Sequence, residues 1–471
     1  MSRADTFLYQ QVLETVRGRI ESGALRVGDK LPSLRRLSSE MDVSVPTVRQ
    51  AYVELEREGR VEARPKSGYF VTPTEARGLL RKHGRQPAPT SVRCCSLIDE
   101  VYAGAARPGV LNLATANPSM ACPATKTLHR AMKRVMNRAE ERSLAYAPTV
   151  GDPALRRQIA FRYLTQGGSI DPEQVIITNG AQEALSLALR AVAGPGDVIA
   201  VESPSYHGQL EMIEAFDMLA LEIETCPEEG IELDALERAF KSHSVKVCMF
   251  SSAINNPLGS RMSDAKRKAL VELCERYGVP LIEDDVYGDL SFDGCRPHPA
   301  QLFAKKGLVV TCSSFSKTVA PGYRIGWLVA DRYLAQLAAA KRANSCSSGL
   351  LQQMTLTDFI GSGDYERYRL RLVAALKQNS MCGSSVVARM FPKDTRMSRP
   401  QGGSVLWIEV PGVDSVELFR AALGEGVAIM PGTIFAAKNR YKNFIRVSFG
   451  CPWPEVDRGL ETLGAIATRL S

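Results

Sequence analysis

The amino-acid sequence predicts an α/β protein with a small domain in front of a large one. Strand-like apolar runs alternate with helix-like segments between residues 174 and 312, a pattern typical of a mainly parallel sheet covered by helices. The first residues instead carry three helix-like segments and a short hairpin. A chain of 471 residues is also too long for one ordinary core. We therefore predict a small domain at 1–72, a connector at 73–108 and a large domain at 109–471.

Composition excludes several classes of protein. Apolar residues make up 45% of the chain and charged residues 23%, as in globular proteins that work in water. No apolar run approaches the roughly 18 residues of a membrane helix, and the first residues lack the apolar core of a signal peptide. The sequence therefore predicts a cytoplasmic protein.

The cysteines and histidines give no sign of a metal site. Eleven cysteines are scattered without a Cys-x-x-Cys pair, and the five histidines form no ligand pattern with them. Reduced thiols are favoured over disulfides or zinc binding. We expect no bound metal.

The small domain carries signals for three helices and a hairpin. Apolar residues recur at helical spacing over 7–20. Ser33 is a suitable N-cap for a short second helix, and Ser44 is one for a third helix over 45–58. The alternating residues of 60–71 predict a two-stranded hairpin.

This order of elements is that of a winged helix-turn-helix, whose third helix enters the major groove of DNA. A small three-helix domain that binds protein is the alternative. Residues 1–90 hold 16 Lys and Arg against 11 Asp and Glu, while the other 381 residues hold 43 against 40. The basic excess at the N-terminal end favours an anionic partner there.

Four stretches of the small domain carry a closer resemblance, namely Leu31-Pro-Ser-Leu-Arg35, Thr47-Val-Arg49, Ala51-Tyr52 and Ser67-Gly-Tyr-Phe-Val71. Together they resemble the GntR family of bacterial DNA-binding domains over nearly all of residues 6–71. The resemblance implies DNA contacts by three helix residues, Arg35, Thr47 and Arg49, and by two at the wing tip, Lys66 and Gly68. Many family members have Arg after the serine that opens the third helix, whereas this chain has Val45-Pro46. The operator sequence therefore does not carry over from relatives.

The connector at 73–108 is rich in Pro and Gly and basic around residues 77–85. This composition predicts a flexible, solvated segment, and a solvated charge run is favoured over a DNA contact. Residues 97–102 are compatible with a short helix that docks on the large domain.

The large domain alternates two kinds of segment. The predicted strands are 174–178, 197–201, 245–250, 280–283 and 307–312. The predicted helices between them are 181–193, 206–216 and 264–277. Such a domain binds its ligands at the carboxyl ends of the strands, where the candidate motifs lie.

The most informative motif is Ser314-Phe-Ser-Lys-Thr-Val-Ala-Pro-Gly-Tyr-Arg-Ile-Gly-Trp327, directly after a predicted buried strand. A lysine at such a position must reach water or serve chemistry. Two small hydroxyls before it and an arginine seven residues after it suit a dianionic phosphate. A solvated loop lysine is the alternative for a single Ser-x-Ser-Lys.

The whole motif resembles the Schiff-base segment of class I aminotransferases, in the fold type I superfamily that binds pyridoxal 5'-phosphate (PLP). The resemblance implies that Lys317 holds PLP as an aldimine, with Ser314, Ser316 and Arg324 around its phosphate. It also implies a large domain with a mainly parallel sheet and a small C-terminal α+β subdomain.

A glycine turn is the second candidate for phosphate binding. Thr178-Asn-Gly-Ala-Gln182 joins a predicted strand to a helix. The amides of Gly180 and Ala181 can therefore meet a phosphate at the helix N-terminus. An ordinary strand-to-helix connection is the alternative.

An acid lies at the end of another predicted strand, in Glu283-Asp-Asp-Val-Tyr287. A carboxylate paired with a pyridine nitrogen keeps that ring protonated, which makes the ring an electron sink. The resemblance assigns Asp284 to the ring nitrogen, and Tyr287 and Asn256 to the phenolic oxygen. The alternatives are an N-cap for Asp284 and a turn at Asn256.

Four more positions match the family. The resemblance implies that Tyr206 stacks on the pyridine face and that Tyr146 reaches the phosphate of a neighbouring subunit, with core packing as the alternative for both. Arg446 alternates with apolar residues on a probable strand, and a buried arginine there requires an anion. The resemblance makes that anion the α-carboxylate of an amino compound, with Asn117 beside it. The residue before Asn117 is Ala116, where relatives often have glycine.

The two halves together resemble MocR-type chimeric regulators, which join a GntR-like domain to an aminotransferase-like one. The resemblance implies a homodimeric, PLP-dependent transcription factor that binds operator DNA and senses a small amino compound at Lys317. A working aminotransferase that carries a DNA-binding domain is the alternative. In that case Lys317, Asp284 and Tyr206 are the catalytic residues.

Overall fold

The computed structural model describes most of the chain. The described residues are 8–21, 24, 25, 28–57, 60–64, 67–72, 80, 88–93, 96–165 and 167–471. Within these ranges the nine cysteines are free thiols. No helix there is long and apolar enough to cross a membrane.

The small domain has the predicted elements. They are α1 (Leu8–Glu21), α2 (Leu34–Met41), α3 (Val45–Arg57), β1 (Val61–Arg64) and β2 (Gly68–Val71). Ser33 Oγ accepts a hydrogen bond from the Arg36 amide, and Ser44 Oγ accepts one from the Thr47 amide, so both predicted caps are present. One hydrophobic core holds the three helices and the antiparallel hairpin together, with Leu37 and Val48 fully buried. The winged helix-turn-helix prediction is confirmed.

Two elements lie inside the predicted connector. Strand β3 (Thr90–Ser91) pairs with the edge of the main sheet, and helix α4 (Ser96–Ala105) buries Leu97, Ile98 and Val101 in the core of the large domain. The expected flexibility therefore does not extend to these residues. Helix α4 contains residues 97–102, so the predicted docking helix is present.

The large domain is built on a nine-stranded sheet. Its strands beyond β3 are β5 (Val175–Thr178), β6 (Val198–Ser203), β7 (Leu219–Cys226), β8 (Gly230–Ile231), β9 (Val245–Phe250), β10 (Leu281–Asp284), β11 (Val309–Ser314) and β12 (Gly326–Val329), after the separate short β4 (Leu111–Asn112). Their order is β3-β7-β6-β9-β10-β11-β12-β5, with β8 paired to β7. The five strands from β7 to β11 are parallel, as predicted, while β12 runs antiparallel to both its neighbours.

Because β12 is reversed between them, β5 runs in the same direction as β11. The carboxyl ends of β5, β6, β9, β10 and β11 therefore meet at one edge of the sheet, which is where open α/β sheets bind ligands. Helices cover this sheet: α5 (Thr125–Ala139), α6 (Pro153–Leu164), α7 (Ala181–Val192), α8 (His207–Ala215), α9 (Leu233–Ser242), α10 (Asp264–Tyr277), α11 (Leu334–Ser345) and α12 (Leu350–Gly361).

A smaller α+β unit forms the C-terminal part. Its helices are α13 (Asp364–Met390), α14 (Ser415–Gly424) and α15 (Trp453–Leu470), and its strands are β13 (Arg396–Met397), β14 (Val405–Glu409), β15 (Val427–Ala428), β16 (Met430–Pro431) and β17 (Phe444–Ser448). Four of these strands form an antiparallel sheet in the order β13-β14-β17-β16, and β15 pairs with β4. This unit closes one side of the ligand edge.

Candidate functional site

A cavity of about 290 Å³ opens where the parallel strands end. Ten residues predicted for the site line it, namely Ala181, Tyr206, Asn256, Asp284, Tyr287, Ser314, Ser316, Lys317, Arg324 and Arg446. They come from six separate segments, which lie at or after β5, β6, β9, β10, β11 and β17, so the sheet topology brings these segments together.

Three predicted residues do not line this cavity. Gly180 lies next to it, and Asn117 lies half-buried in the turn after Thr115 and Ala116, which do line it. Tyr146 is 88% exposed on the outer surface. Tyr146 cannot serve the cavity of its own chain in this position.

Lys317 follows β11, lines the cavity and is half-buried. Its Nζ donates a hydrogen bond of 2.7 Å to the Ala116 carbonyl. Burial, together with the charge of Arg446, lowers the pKa of Lys317 to about 8, although nearby Asp284 opposes the shift. The amine is therefore much closer to its neutral, nucleophilic form near pH 7 than an exposed lysine is.

Asp284 is the last residue of β10 and is buried. Its carboxylate accepts a hydrogen bond from the Val286 amide at 3.3 Å. Burial raises the pKa of Asp284 to about 6, against the opposing effects of that amide and of Lys317. A cationic partner in the cavity would favour its ionised form.

The predicted phosphate cradle is assembled around two hydroxyls. Ser314 Oγ donates to Ser316 Oγ at 2.7 Å and accepts from the Ser316 amide at 2.8 Å. Arg324 Nη1 approaches Ser316 Oγ at 3.4 Å, and its Nη2 donates to the Asn179 carbonyl at 3.2 Å. The guanidinium therefore lies between the turn after β11 and the start of α7.

Gly180 is required where it stands. Its φ is +81°, and a Cβ there would lie 2.5 Å from Arg324 Nη2. Gly180, the N-cap of α7, has no side chain to cap this helix, so its first amides are left for a ligand at the cradle. Glycine thus allows the arginine and the helix terminus to share one anion.

Arg446 on β17 is a buried cation that has no acidic partner among the described residues. No carboxylate of the described residues forms a salt bridge with it, and its Nε has no hydrogen-bond partner there. Nη1 donates to Asn256 Oδ1 at 3.3 Å, Nη2 donates to the Ala114 carbonyl, and the guanidinium lies 5.2 Å from the Phe435 ring centre. Since an uncompensated buried charge is costly, this arrangement calls for an anionic ligand.

Tyr287 gives a second sign of a missing ligand. Its hydroxyl is buried without a hydrogen-bond partner in the described residues, and its ring centre lies 5.9 Å from Lys317 Nζ. Burial raises the pKa of Tyr287, so the phenol is neutral and can donate. A buried hydroxyl with no partner costs free energy unless a ligand satisfies it.

Some of the lining residues were not predicted from the sequence. They include Tyr102, Thr115, Gln182, Leu185, His207, Ser251, Val286 and Met430. Tyr102 lies in the segment interpreted as a connector, and His207 follows the assigned Tyr206 without a motif of its own. Their side chains meet only because α4 packs back beside α8.

The winged helix presents its candidate DNA contacts on the surface. Arg35 on α2 and Arg49 on α3 are exposed, and Thr47 Oγ1 lies 2.7 Å from Ser44 Oγ in the first turn of α3. Gly68 begins β2 with a φ of +107°, which suits the tight end of the hairpin. Lys66 lies outside the described residues.

The family described as aminotransferase class I and II matches residues 108–463. The chain belongs to this family. Residues 8–71 match the gntR family of bacterial regulatory proteins, so a GntR DNA-binding domain precedes the aminotransferase-like one. The expected combination of a GntR-type domain with an α/β aminotransferase fold is thereby confirmed.

Relatives are similar over the whole chain or over its second part. The uncharacterized HTH-type transcriptional regulator YjiR of Escherichia coli is 35% identical over 98% of this chain and 99% of its own length. The 2-aminoadipate transaminase of Thermus thermophilus is 33% identical over 75% of this chain and 89% of its own. This protein is accordingly a GntR-type transcriptional regulator fused to an aminotransferase-like domain.

Solved aminotransferases share the fold of the second part. The α-aminoadipate aminotransferase LysN of Thermus thermophilus, solved with N-(5'-phosphopyridoxyl)-L-leucine, is 29% identical with a TM-score of 0.73, covering 80% of this chain and 95% of its own. The kynurenine aminotransferase of Pyrococcus horikoshii is 26% identical with a TM-score of 0.74 and the same coverages.

PLP is the cofactor of this aminotransferase-like domain, and the cavity fits it. The uncapped start of α7, the Arg324 guanidinium packed against Gly180 and the paired serine hydroxyls suit a phosphate. The partnerless hydroxyl of Tyr287 suits an oxygen on the ring.

Proposed function

We propose that this protein is a MocR-type regulator, in which an amino compound that binds at Lys317 changes the affinity of the winged helix for operator DNA. The observation that carries the proposal is that two cations, the half-buried Lys317 and the buried Arg446, face one cavity in a chain that also has a GntR domain. Lys317 would hold the group that reacts with an amine, and Arg446 suits a carboxylate. An amino acid carries both an amine and a carboxylate, so it satisfies both residues.

The residues of the cavity divide the work. Lys317 would hold PLP covalently, and Ser314, Ser316, Arg324, Gly180 and Ala181 would bind its phosphate. Asp284 would pair with the ring nitrogen, Tyr287 and Asn256 would bind the ring oxygen, and Tyr206 would stack on the ring. When bound, PLP supplies an aldehyde carbon that reacts with amines and a ring that withdraws electrons. Arg446, with Asn117 nearby, would bind the carboxylate.

The winged helix would read the operator with Arg35, Thr47 and Arg49, and with Lys66 and Gly68 at the wing. Exposed guanidinium groups at the start of α3 and on α2 suit phosphates and the acceptor edges of guanine. A DNA-binding regulator of this kind acts at the chromosome, so we infer a cytoplasmic location.

We infer that the protein is a homodimer through its large domain. Leu144 is 83% exposed and Tyr146 88% exposed in the turn after α5, an unfavourable place for large side chains on a monomer. Two-fold symmetry would bring the Tyr146 of one protomer to the phosphate cradle of the other. The full chain should sediment as a dimer, and Tyr146→Ala should weaken PLP binding; a monomer with unchanged PLP affinity would exclude this role.

Full transamination is the second candidate function. It is favoured by the Lys317 amine, whose pKa of about 8 suits proton transfer near neutral pH, and by its proximity to Asp284. Turnover of an amino donor and a keto acceptor at ordinary enzymatic rates would support it.

One titration separates the two candidates. Amino compounds are titrated against the PLP-loaded full chain by absorbance, with and without operator DNA. In a sensor, operator DNA must change the affinity for the compound by the same factor by which the compound changes the affinity for the operator. The coupling free energy is typically about 1–3 kcal/mol. If the two titration curves coincide and the protein turns over an amino donor and a keto acceptor, the aminotransferase function is favoured over the sensor.

A further inference from the structure

The Tyr102 side chain enters the cavity from the predicted connector. Tyr102 lies on α4, lines the cavity together with Thr115 and Arg446, and is partly exposed. Its hydroxyl lies 3.3 Å from Nε2 of His207, the first residue of α8, and the two rings meet edge to face. The contact bridges 105 residues of sequence.

Helix α4 holds Tyr102 in a fixed position. The preceding residue, Val101, is fully buried, and the Glu100 carboxylate accepts two hydrogen bonds from Arg420 on α14, at 3.1 and 3.0 Å. Gly104 packs so closely on Leu423 that a Cβ would lie 2.8 Å from a leucine methyl carbon. Tyr102 is therefore anchored on the C-terminal α+β unit, while its hydroxyl reaches the large domain.

The hydrogen bonds of His207 decide what Tyr102 can offer. Nδ1 of His207 lies 3.1 Å from Oε2 of Glu211. Because a carboxylate only accepts, Nδ1 must carry a proton. Burial lowers the pKa of His207, so the ring is neutral and Nε2 has no proton. Nε2 therefore accepts a hydrogen bond from the Tyr102 hydroxyl.

A phenol whose only O–H donates a hydrogen bond to His207 can offer other partners only its oxygen lone pairs, so it acts as an acceptor toward them. We infer that Tyr102 is a specificity-determining residue that accepts a hydrogen bond from the ligand, and that the ligand carries a second donor, such as a hydroxyl, amide or amino group, besides its amine and carboxylate. This inference rests on the proposed function, since it concerns the amino compound bound at Lys317 and Arg446.

The chemistry of the neighbouring groups agrees with this assignment. Arg446 already supplies the positive charge for a carboxylate, so a donor at Tyr102 would duplicate it, whereas an acceptor recognises a different part of the ligand. Thr115 and His207 are further polar lining residues, and among the described residues no arginine besides Arg324 and Arg446 lines the cavity. A ligand donor therefore meets an acceptor here.

The test uses matched pairs of amino acids with the PLP-loaded full chain. Serine is compared with alanine, and ornithine with 2-aminopentanoate, since each pair differs by one terminal donor. Dissociation constants are measured from the absorbance change. The wild type should prefer the donor-bearing member of at least one pair by about two- to tenfold, the range of a single net hydrogen bond.

In Tyr102→Phe, which keeps the ring, the ratio of the two dissociation constants within that pair should fall to about one. Tyr277→Phe removes the same atom from a half-buried tyrosine whose hydroxyl donates to Glu237, far from the cavity, and should keep the wild-type ratio. A loss of packing alone would weaken both members equally and leave the ratio unchanged, which would overturn the inference.

Two other outcomes also decide. If the wild type binds these compounds but prefers no donor in either pair, Tyr102 is not a recognition residue, although the proposed function stands. If no amino compound changes the absorbance of a protein that holds PLP, the proposed function fails first.

Discussion

The winged helix keeps its arginines, Arg35 and Arg49, at the surface, whereas the large domain buries Lys317 and Arg446 at the edge of a cavity. An exposed cation is solvated and binds a phosphate polymer by releasing counterions, so each exposed cation adds a modest amount of binding free energy. A buried cation without a carboxylate is poised for one particular anion. The two halves therefore suit different ligands: a long anionic surface and a single small molecule.

Removing Lys317 should have the largest effect and tests whether the cavity is a PLP site. The wild type should be yellow with PLP, and Lys317→Ala should lose covalent PLP completely, because no other lysine of the described residues lines the cavity. Borohydride reduction followed by peptide mapping locates the adduct. Lys268→Ala, at an exposed lysine of α10, serves as control. An adduct on any other lysine would refute the assignment.

Replacing Arg446 sharpens the contrast between buried and exposed cations. Arg446→Lys keeps the charge but loses the fork that binds a carboxylate through two bonds. Binding of an amino acid should weaken by about 1.5–3 kcal/mol, the range for one hydrogen bond to a charged group. Titration by absorbance measures it. The matching amine without a carboxylate should bind both forms alike, and an equal loss for that amine would contradict the carboxylate role.

Substitution in the winged helix should have a smaller effect. Arg49→Ala or Arg35→Ala should weaken operator binding by about 1–3 kcal/mol if the residue contacts a base edge. A phosphate contact would instead lower the salt slope by about one. Gel shifts at fixed and varied salt distinguish these results. Arg276→Ala, exposed on α10, is the control, and unchanged binding in both winged-helix variants would contradict the predicted interface.

The pH dependence of PLP capture should be the mildest effect. Only the neutral Lys317 amine attacks an aldehyde, and its folded pKa of about 8 lies below the ordinary lysine value. The capture rate of PLP-free protein should therefore rise as pH increases through 8, by about tenfold between pH 7 and 9, and then level off. Stopped-flow absorbance measures it. A rate still rising steeply above pH 10 would mean that burial does not depress this pKa.

The depressed pKa also links folding to pH. The folded chain binds fewer protons at Lys317 than the unfolded chain does between the folded and unfolded pKa values. The contribution of Lys317 therefore increases the free energy of unfolding as pH rises through that window. Below about pH 8 this increase is absent.

The sequence by itself determined the local elements and the cofactor motif. Ser33 and Ser44 cap their helices, and 245–250 and 264–277 have the predicted bounds, because caps and apolar periods act within a few residues. The segment around Lys317 was recognisable because its spacing of hydroxyls, lysine and arginine is contiguous.

Only the tertiary structure decided which distant residues complete the site. The contacts between Tyr102 and His207, and between Arg446 and Asn256, join residues 105 and 190 positions apart. No local pattern encodes them, since they depend on where α4 and β17 cross the carboxyl ends of the parallel strands. A short helix read as part of a connector became a wall of the cavity because burying Leu97, Ile98 and Val101 placed Tyr102 there.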